Sequence, residues 1–236
     1  MLDTSNPRQL QIGALIYPRL DQIDFTGPFE VLSRVPDSAF HVIGRDKSPI
    51  RDVQGLLLTP EISLDEAPQL DVLVVPGGYG QQDLMEDDVI LSFLRNQAAG
   101  AKYVFSVCTG ALLCGAAGLL KGVRATTHWA SFDLLPYFGA IPVNSRVVVD
   151  GKHISAAGVT AGIDGALTVA ALLRGDLAAQ QIQLSIEYAP DPPFHSGTPD
   201  SAPPEVLKAA QEEGRRILAA RLDTAIRIAR RLEIAI

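Results

Sequence analysis

Cysteine is scarce in this 236-residue chain, which holds only 2. That is too few for the disulfide lattice of a small secreted scaffold, and the 4 histidines, scattered at His41, His128, His153 and His195, do not complete a structural zinc site at tight spacing. Long apolar runs are missing as well. The richest, Ala111 to Leu120, is ten residues with two glycines inside it, whereas a membrane-spanning helix needs about 20. A surplus of positive charge is also absent: 20 basic against 27 acidic side chains give a net charge of -7 and a pI near 5.1. Nucleic acid and anionic membranes, which are held by clustered positive charge, are therefore poor partners. Met1 to Gln11 is polar, with Asp3 and Pro7 and no apolar core segment, so no export signal is read there and a cytoplasmic location is expected. Both cysteines are then expected to be free thiols.

What is present is an alternation of short apolar strands and helical spacings. Gln11–Tyr17, Ala39–Gly44, Gly55–Thr59, Asp71–Pro76 and Tyr103–Val107 read as strands, and Pro28–Val35, Val89–Ala99 and Thr109–Leu120 as helices. Val147–Val149 and His153–Ser155 read as a hairpin, followed by helices over Gly162–Leu173 and Ala178–Glu187. Strands as apolar as Val72-Leu73-Val74-Val75 belong to a parallel sheet covered by helices on both faces, an α/β fold. At Pro190 the composition changes: 6 of the 16 prolines fall between Pro190 and Pro204, which marks a connector. The division is thus an α/β domain over 1–189 and, over 190–236, a proline-rich connector with a C-terminal helical arm, Glu205–Leu232. Six arginines between Arg215 and Arg231 read as the solvated face of that helix.

The segment richest in chemistry is Tyr103-Val104-Phe105-Ser106-Val107-Cys108-Thr109-Gly110. A buried strand runs straight into a helix with Cys108 at the junction and small residues two positions to either side, the steric signature of a nucleophile elbow. A helix amino terminus favours the thiolate, which makes Cys108 the candidate nucleophile. Cys114, mid-helix, reads as core. Val75-Pro76-Gly77-Gly78 closes another strand, and glycines there let N–H groups converge on developing negative charge; Gly78 is the candidate oxyanion or substrate-binding position. In open α/β sheets ligands bind at the carboxyl ends of strands, where both segments lie. Asp24 is expected in a loop after the first strand, before a helix begun by Pro28 with Gly27 as its cap, where it could serve Cys108 as acid or base. His128, in Thr126-Thr127-His128-Trp129, is the one histidine placed to pair with Cys108, though a satisfied structural role is the reading preferred for it. Nothing in the spacing suggests a metal site or a cofactor.

These segments, with Gln22-Ile23-Asp24-Phe25-Thr26-Gly27-Pro28, Arg124-Ala125-Thr126-Thr127-His128-Trp129 and Gly158-Val159-Thr160-Ala161-Gly162-Ile163-Asp164, resemble the ThiJ/PfpI superfamily, and within it most the isocyanide hydratases. The resemblance extends through Glu187-Tyr188-Ala189-Pro190 and Pro193-Phe194, nearly the whole chain. It implies a flavodoxin-like three-layer sandwich, a homodimer, and hydration of an isocyanide to an N-substituted formamide through a covalent thioimidate on Cys108. It further implies that Asp24 handles the proton, that Thr109 helps to stabilise charge and place water, and that water is the second substrate. Thr109 stands where peptidase-like members carry histidine. A glyoxalase or deglycase of the same superfamily, a cysteine peptidase, and a ligand-sensing module without activity are the rival readings.

Overall fold

The computed structural model describes residues 9–235; residues 1–8, which make up most of the polar lead considered above, and residue 236 lie outside the described residues. The chain runs β1 (Leu10–Leu15), α1 (Gln22–Leu32), β2 (Ser38–Gly44), a small ladder of β3 (Ile50–Arg51) and β4 (Leu57–Leu58), β5 (Ile62–Ser63) and β6 (Val72–Val75). Then come α2 (Gln81–Leu84), α3 (Asp88–Gly100), β7 (Tyr103–Val107), α4 (Gly110–Ala116), β8 (Arg124–Ala125), a 3-10 stretch over Trp129–Phe138, β9 (Ile141–Pro142), β10 (Val147–Asp150) and β11 (His153–Ala156). Helices α5 (Ala161–Arg174), α6 (Asp176–Ser185) and α7 (Pro204–Arg231) complete it.

A seven-stranded sheet in the order β10-β11-β7-β6-β1-β2-β5 forms the middle layer. Every neighbouring pair is parallel except the β10–β11 hairpin. Helices α1, α5 and α6 pack together on one face, and α2, α3, α4, α7 and the 3-10 stretch on the other. This is the mostly parallel, helix-covered sheet that the strand pattern implies, and the flavodoxin-like sandwich that the family resemblance implies. All four residues of β6 are buried, as both faces being covered requires. Among the described residues no helix is long and apolar enough to cross a membrane, and no group of three or more His, Cys, Asp or Glu is arranged to hold a metal ion.

Helix α1 departs from the expectation. It starts six residues before Pro28, with Asp21 rather than Gly27 as its cap: the Asp21 side chain accepts the Ile23 N–H at 3.1 Å. Pro28 therefore lies inside the helix, and Asp24 sits in its first turn instead of in a preceding loop. A proline fits helical φ but has no N–H for the carbonyl four residues back, which here belongs to Asp24. Helix α4 is shorter than expected. It ends at Ala116 because Gly118, at φ 80°, turns the chain out of helical geometry. The strand expected over Gly55–Thr59 shrinks to the two residues of β4, as Gly55 itself adopts φ 97°.

The proline-rich connector leads into α7, which packs back onto the 3-10 stretch and α2. Thr224, Ala225, Ile228 and Ala229 are buried in that contact. Gln82 donates to Thr224 Oγ1 at 2.9 Å, and Arg227 grips Glu86 through two hydrogen bonds of 3.0 and 2.6 Å. The arm is thus folded against the carboxyl edge of the sheet, where β6 and β7 end.

Candidate active site

Strands β6 and β7 lie side by side and parallel, so the turns that follow them emerge at the same edge. Cys108, the first residue after β7, has φ 55°, in the left-handed region that disfavours any side chain. Such a conformation costs about 1 kcal/mol or more and persists only where surroundings enforce it. Two hydrogen bonds do so: the Cys108 N–H donates to the Ala156 carbonyl at 3.0 Å, and the Cys108 carbonyl accepts from Thr127 Oγ1 at 2.7 Å. Glycines are needed alongside, because the two turns touch. A Cβ on Gly110 would stand 2.0 Å from the Val75 carbonyl oxygen, and one on Gly77 would stand 2.5 Å from the Thr109 nitrogen. The side chain of Cys108 is 5% exposed, so the elbow presents its thiol into a nearly closed space.

Asp24 meets that space from α1. It is fully buried, and the Gly77 N–H donates to its Oδ2 at 2.9 Å. The Cys108 thiol approaches the carboxyl closely enough to interact with it, while Oδ1 is left without an aligned hydrogen bond. Burial pushes the Asp24 carboxyl up to about 8, reinforced by the charge of Asp21 and opposed by the Gly77 and Cys108 contacts. A carboxyl so raised holds its proton at neutral pH more readily than an ordinary carboxylate does.

The thiol does not behave as its position before a helix suggests. Burial pushes it well above its ordinary value, and the Asp24 charge pushes it further; the Thr109 N–H and the charge of Arg221 pull the other way with less effect. The expectation of a thiolate favoured by the helix end is corrected for a physical reason: α4 has only seven residues, and the desolvation of an anion in this enclosed pocket outweighs its dipole. The Asp24 part of the penalty vanishes when Asp24 holds a proton. The two groups therefore titrate as a coupled pair, in which the first proton lost leaves one negative charge between carboxyl and thiol. Cys114 is buried in the core and pushed up to about 12, leaving it inert.

Thr109 and Gly78 are locked to each other. The Gly78 N–H donates to Thr109 Oγ1 at 3.1 Å, and that hydroxyl lies 3.3 Å from the Gly78 carbonyl as donor. Gly78 holds φ 118° to achieve this. Its N–H is thus engaged, and reaching a substrate requires exchanging that bond. His128 does not pair with Cys108. Its Nδ1 accepts the Ala130 N–H at 3.3 Å, capping the 3-10 stretch, and burial, aided by the charge of Arg221, holds it down to about 4. Its ring is thus held neutral, and it lines the cavity beside the elbow.

Three groups at the site were not singled out by the sequence reading. Tyr17, after β1, donates to the Pro76 carbonyl at 2.7 Å and feels the charges of Asp24 and Cys108. Ser131, in the 3-10 stretch, is fully buried. Arg221, on α7, donates to Ser131 Oγ at 3.2 Å and to the Gly78 carbonyl at 3.1 Å. A signal for Arg221 exists: it falls four residues after Ile217 and four before Ala225, on the apolar stripe of α7 rather than its wet face. Beside the elbow opens a cavity of ≈ 540 Å³, whose walls include Thr127, Trp129, Phe132, Val159 and the connector residues Thr198 and Pro199. Cys108 and Asp24 are not among its walls; its nearest tie to the elbow is Thr127, whose hydroxyl donates to the Cys108 carbonyl.

The DJ-1/PfpI family model matches residues 11–172. An isonitrile hydratase from Pseudomonas putida is 51% identical over 95% of this chain and 99% of its own length. The crystal structure of a ThiJ/PfpI family protein from Pseudomonas syringae superposes with a TM-score of 0.89 at 37% identity, covering 95% of each chain. The HTH-type transcriptional regulator GbdR of Pseudomonas aeruginosa is 29% identical over 53% of this chain, a stretch that covers 34% of the regulator.

Proposed function

This chain belongs to the DJ-1/PfpI family, and we propose that within it the protein is a lyase that hydrates isocyanides (isonitriles) to N-substituted formamides, with Cys108 as nucleophile. The observation that carries the chemistry is the buried pair of Asp24 and Cys108. An isocyanide is attacked at a terminal carbon that must also gain a proton, so a nucleophile and an acid have to reach one atom together. The likeness to the Pseudomonas putida enzyme supports the substrate class.

In the first step the Cys108 sulfur bonds to the terminal carbon while protonated Asp24 delivers its proton to that same carbon. The product is a neutral thioimidate on sulfur, and Asp24 is left as a carboxylate. A water then adds to the C=N carbon: Asp24 takes one of its protons and passes it to nitrogen. Collapse of the tetrahedral species breaks the C–S bond, releases the formamide, and returns the hydroxyl proton to the Cys108–Asp24 pair. The Thr109 hydroxyl and the N–H groups of Thr109 and Gly78 are assigned to charge stabilisation and to placing water, with the Gly78 bond exchanged as charge develops. The substituent of the isocyanide is assigned to the cavity walled by Trp129, Phe132 and Val159. No redox change occurs in any step.

A glyoxalase or deglycase reading that relies on His128 as base is disfavoured by the capping role of its Nδ1. Family resemblance supports a homodimer, and a reducing cytoplasm suits a site built on a free thiol. The test is direct: purified protein is mixed with a simple aryl isocyanide, formamide is followed, and Cys108 is examined for a transient adduct by intact and peptide mass. Absence of formamide, or formamide made equally well without Cys108, overturns the reading.

A further inference from the structure

Six arginines crowd the second half of α7, at positions 215, 216, 221, 227, 230 and 231, and five of them are exposed. Arg221 alone is buried, with 4% of its surface exposed. Burying a guanidinium is costly unless an anion lies beside it. Among the described residues Arg221 makes no ion pair. Of its five N–H donors one meets Ser131 Oγ and one the Gly78 carbonyl, while the buried Nε has no partner at all. A hydroxyl and a carbonyl satisfy dipoles, not a charge.

The contacts of Arg221 lead toward the Cys108 elbow. The Gly78 carbonyl that Arg221 grips is also 3.3 Å from Thr109 Oγ1, and Thr109 is the residue after Cys108. On its other side Arg221 grips Ser131, three residues after the His128 turn that follows Thr127, whose hydroxyl clamps the Cys108 carbonyl. The guanidinium therefore ties together the two walls that flank the elbow. We infer that Arg221 is a positioning residue for Cys108: α7 brings it in as the buried counter-charge of the Cys108 thiolate, and its hold on Gly78 keeps the neighbouring turn closed.

The other groups facing this space are acidic or neutral. Asp24 and Asp21 come from the start of α1, Tyr17 follows β1, Cys114 lies on α4, and Tyr79 faces Arg221 from the turn before α2. His128 is held neutral, so Arg221 is the only cation among the groups that bear on the thiol. Charge and thiol act on each other in both directions: Arg221 draws the Cys108 thiol down, and Cys108 draws the guanidinium up.

The inference rests on Cys108 being the nucleophile, but its test needs no isocyanide. The full chain is alkylated with iodoacetamide across a pH series, and modification of Cys108 is followed by peptide mass. Relative to wild type, Arg221→Met is expected to move the midpoint of the rising alkylation rate upward by about one pH unit or more, with a rate roughly tenfold lower on the acid side. Arg221→Lys, which keeps the charge and loses the planar fork, is expected to stay within about half a unit of wild type. Arg216→Met, on the exposed face of the same helix, leaves the profile unchanged. A folded Arg221→Met protein with the wild-type midpoint overturns the inference. Should that variant not fold, Arg221→Lys decides: a shift of a full unit despite the retained charge overturns it equally. Loss of formamide production with a normal alkylation profile would count against the isocyanide reading instead.

Discussion

Asp24 and Cys108 meet at the carboxyl edge of the sheet, one from the first turn of α1 and the other from the strained turn after β7, with the Gly77 N–H fixing the carboxyl at 2.9 Å. Neither residue is ionised easily alone in this enclosure. In the proposed mechanism they act together, sharing one proton and one negative charge in the addition to an isocyanide carbon.

Removing the thiol separates chemistry from fold. Cys108→Ala and Cys108→Ser are expected to lower formamide production by about a thousandfold or more, with thermal unfolding little changed. Because residue 108 holds φ 55°, Cys108→Gly is expected to be as inactive as Cys108→Ala yet more stable by about 1 kcal/mol, measured by urea unfolding. Equal stability of the two variants would show that the elbow stores no strain.

Asp24→Asn keeps an acceptor for the Gly77 N–H but loses the proton. Turnover is expected to fall by about a hundredfold or more, while iodoacetamide still reaches Cys108. Asp24→Glu places the carboxyl one methylene further into a full pocket and is expected to be nearly as slow. Wild-type turnover in Asp24→Asn would remove Asp24 from the mechanism.

The rate and the stability should respond to pH in opposite senses. The singly protonated pair is populated as pH rises toward about 8, so kcat/KM should climb over that range rather than fall. For stability, the Asp24 carboxyl is raised from 3.8 in the unfolded chain to about 8 in the folded one. Acid therefore favours the folded state, and this contribution, complete below pH 4, is lost as pH rises through 8, with a slope of up to about 1.4 kcal/mol per unit. The urea midpoint of wild type relative to Asp24→Asn should drop between pH 5 and 8. A flat difference would mean that Asp24 is not raised.

Thr109→Val keeps the shape of the side chain and strands the Gly78 N–H. A loss of about 1–3 kcal/mol in stability is expected, with Thr109→Ser close to wild type. If valine is tolerated without loss, the lock between Thr109 and Gly78 contributes nothing.

The alternation of apolar strands with helical spacings was enough to indicate a parallel sheet with helices on both faces, because the burial of β6 and β7 on two sides leaves its mark in every residue. Cys108 could be found from the small residues around it, since the close approach of Gly110 to Val75 forbids larger ones. The start of α1 is not legible in the same way. Proline after glycine is an ordinary helix entrance, and only the bond from Ile23 to the Asp21 side chain moves the entrance upstream.

What the sequence by itself determined is the fold class and the elbow, for both depend on local pattern: apolar period, chain reversal and side-chain size. What only the tertiary structure decided is the protonation of the site and the identity of its cation. The pKa of Asp24 follows from complete burial between α1 and the β6 turn, and Arg221 reaches Gly78 across 143 positions of chain. Desolvation and charge act through space, and no spacing within one segment records them.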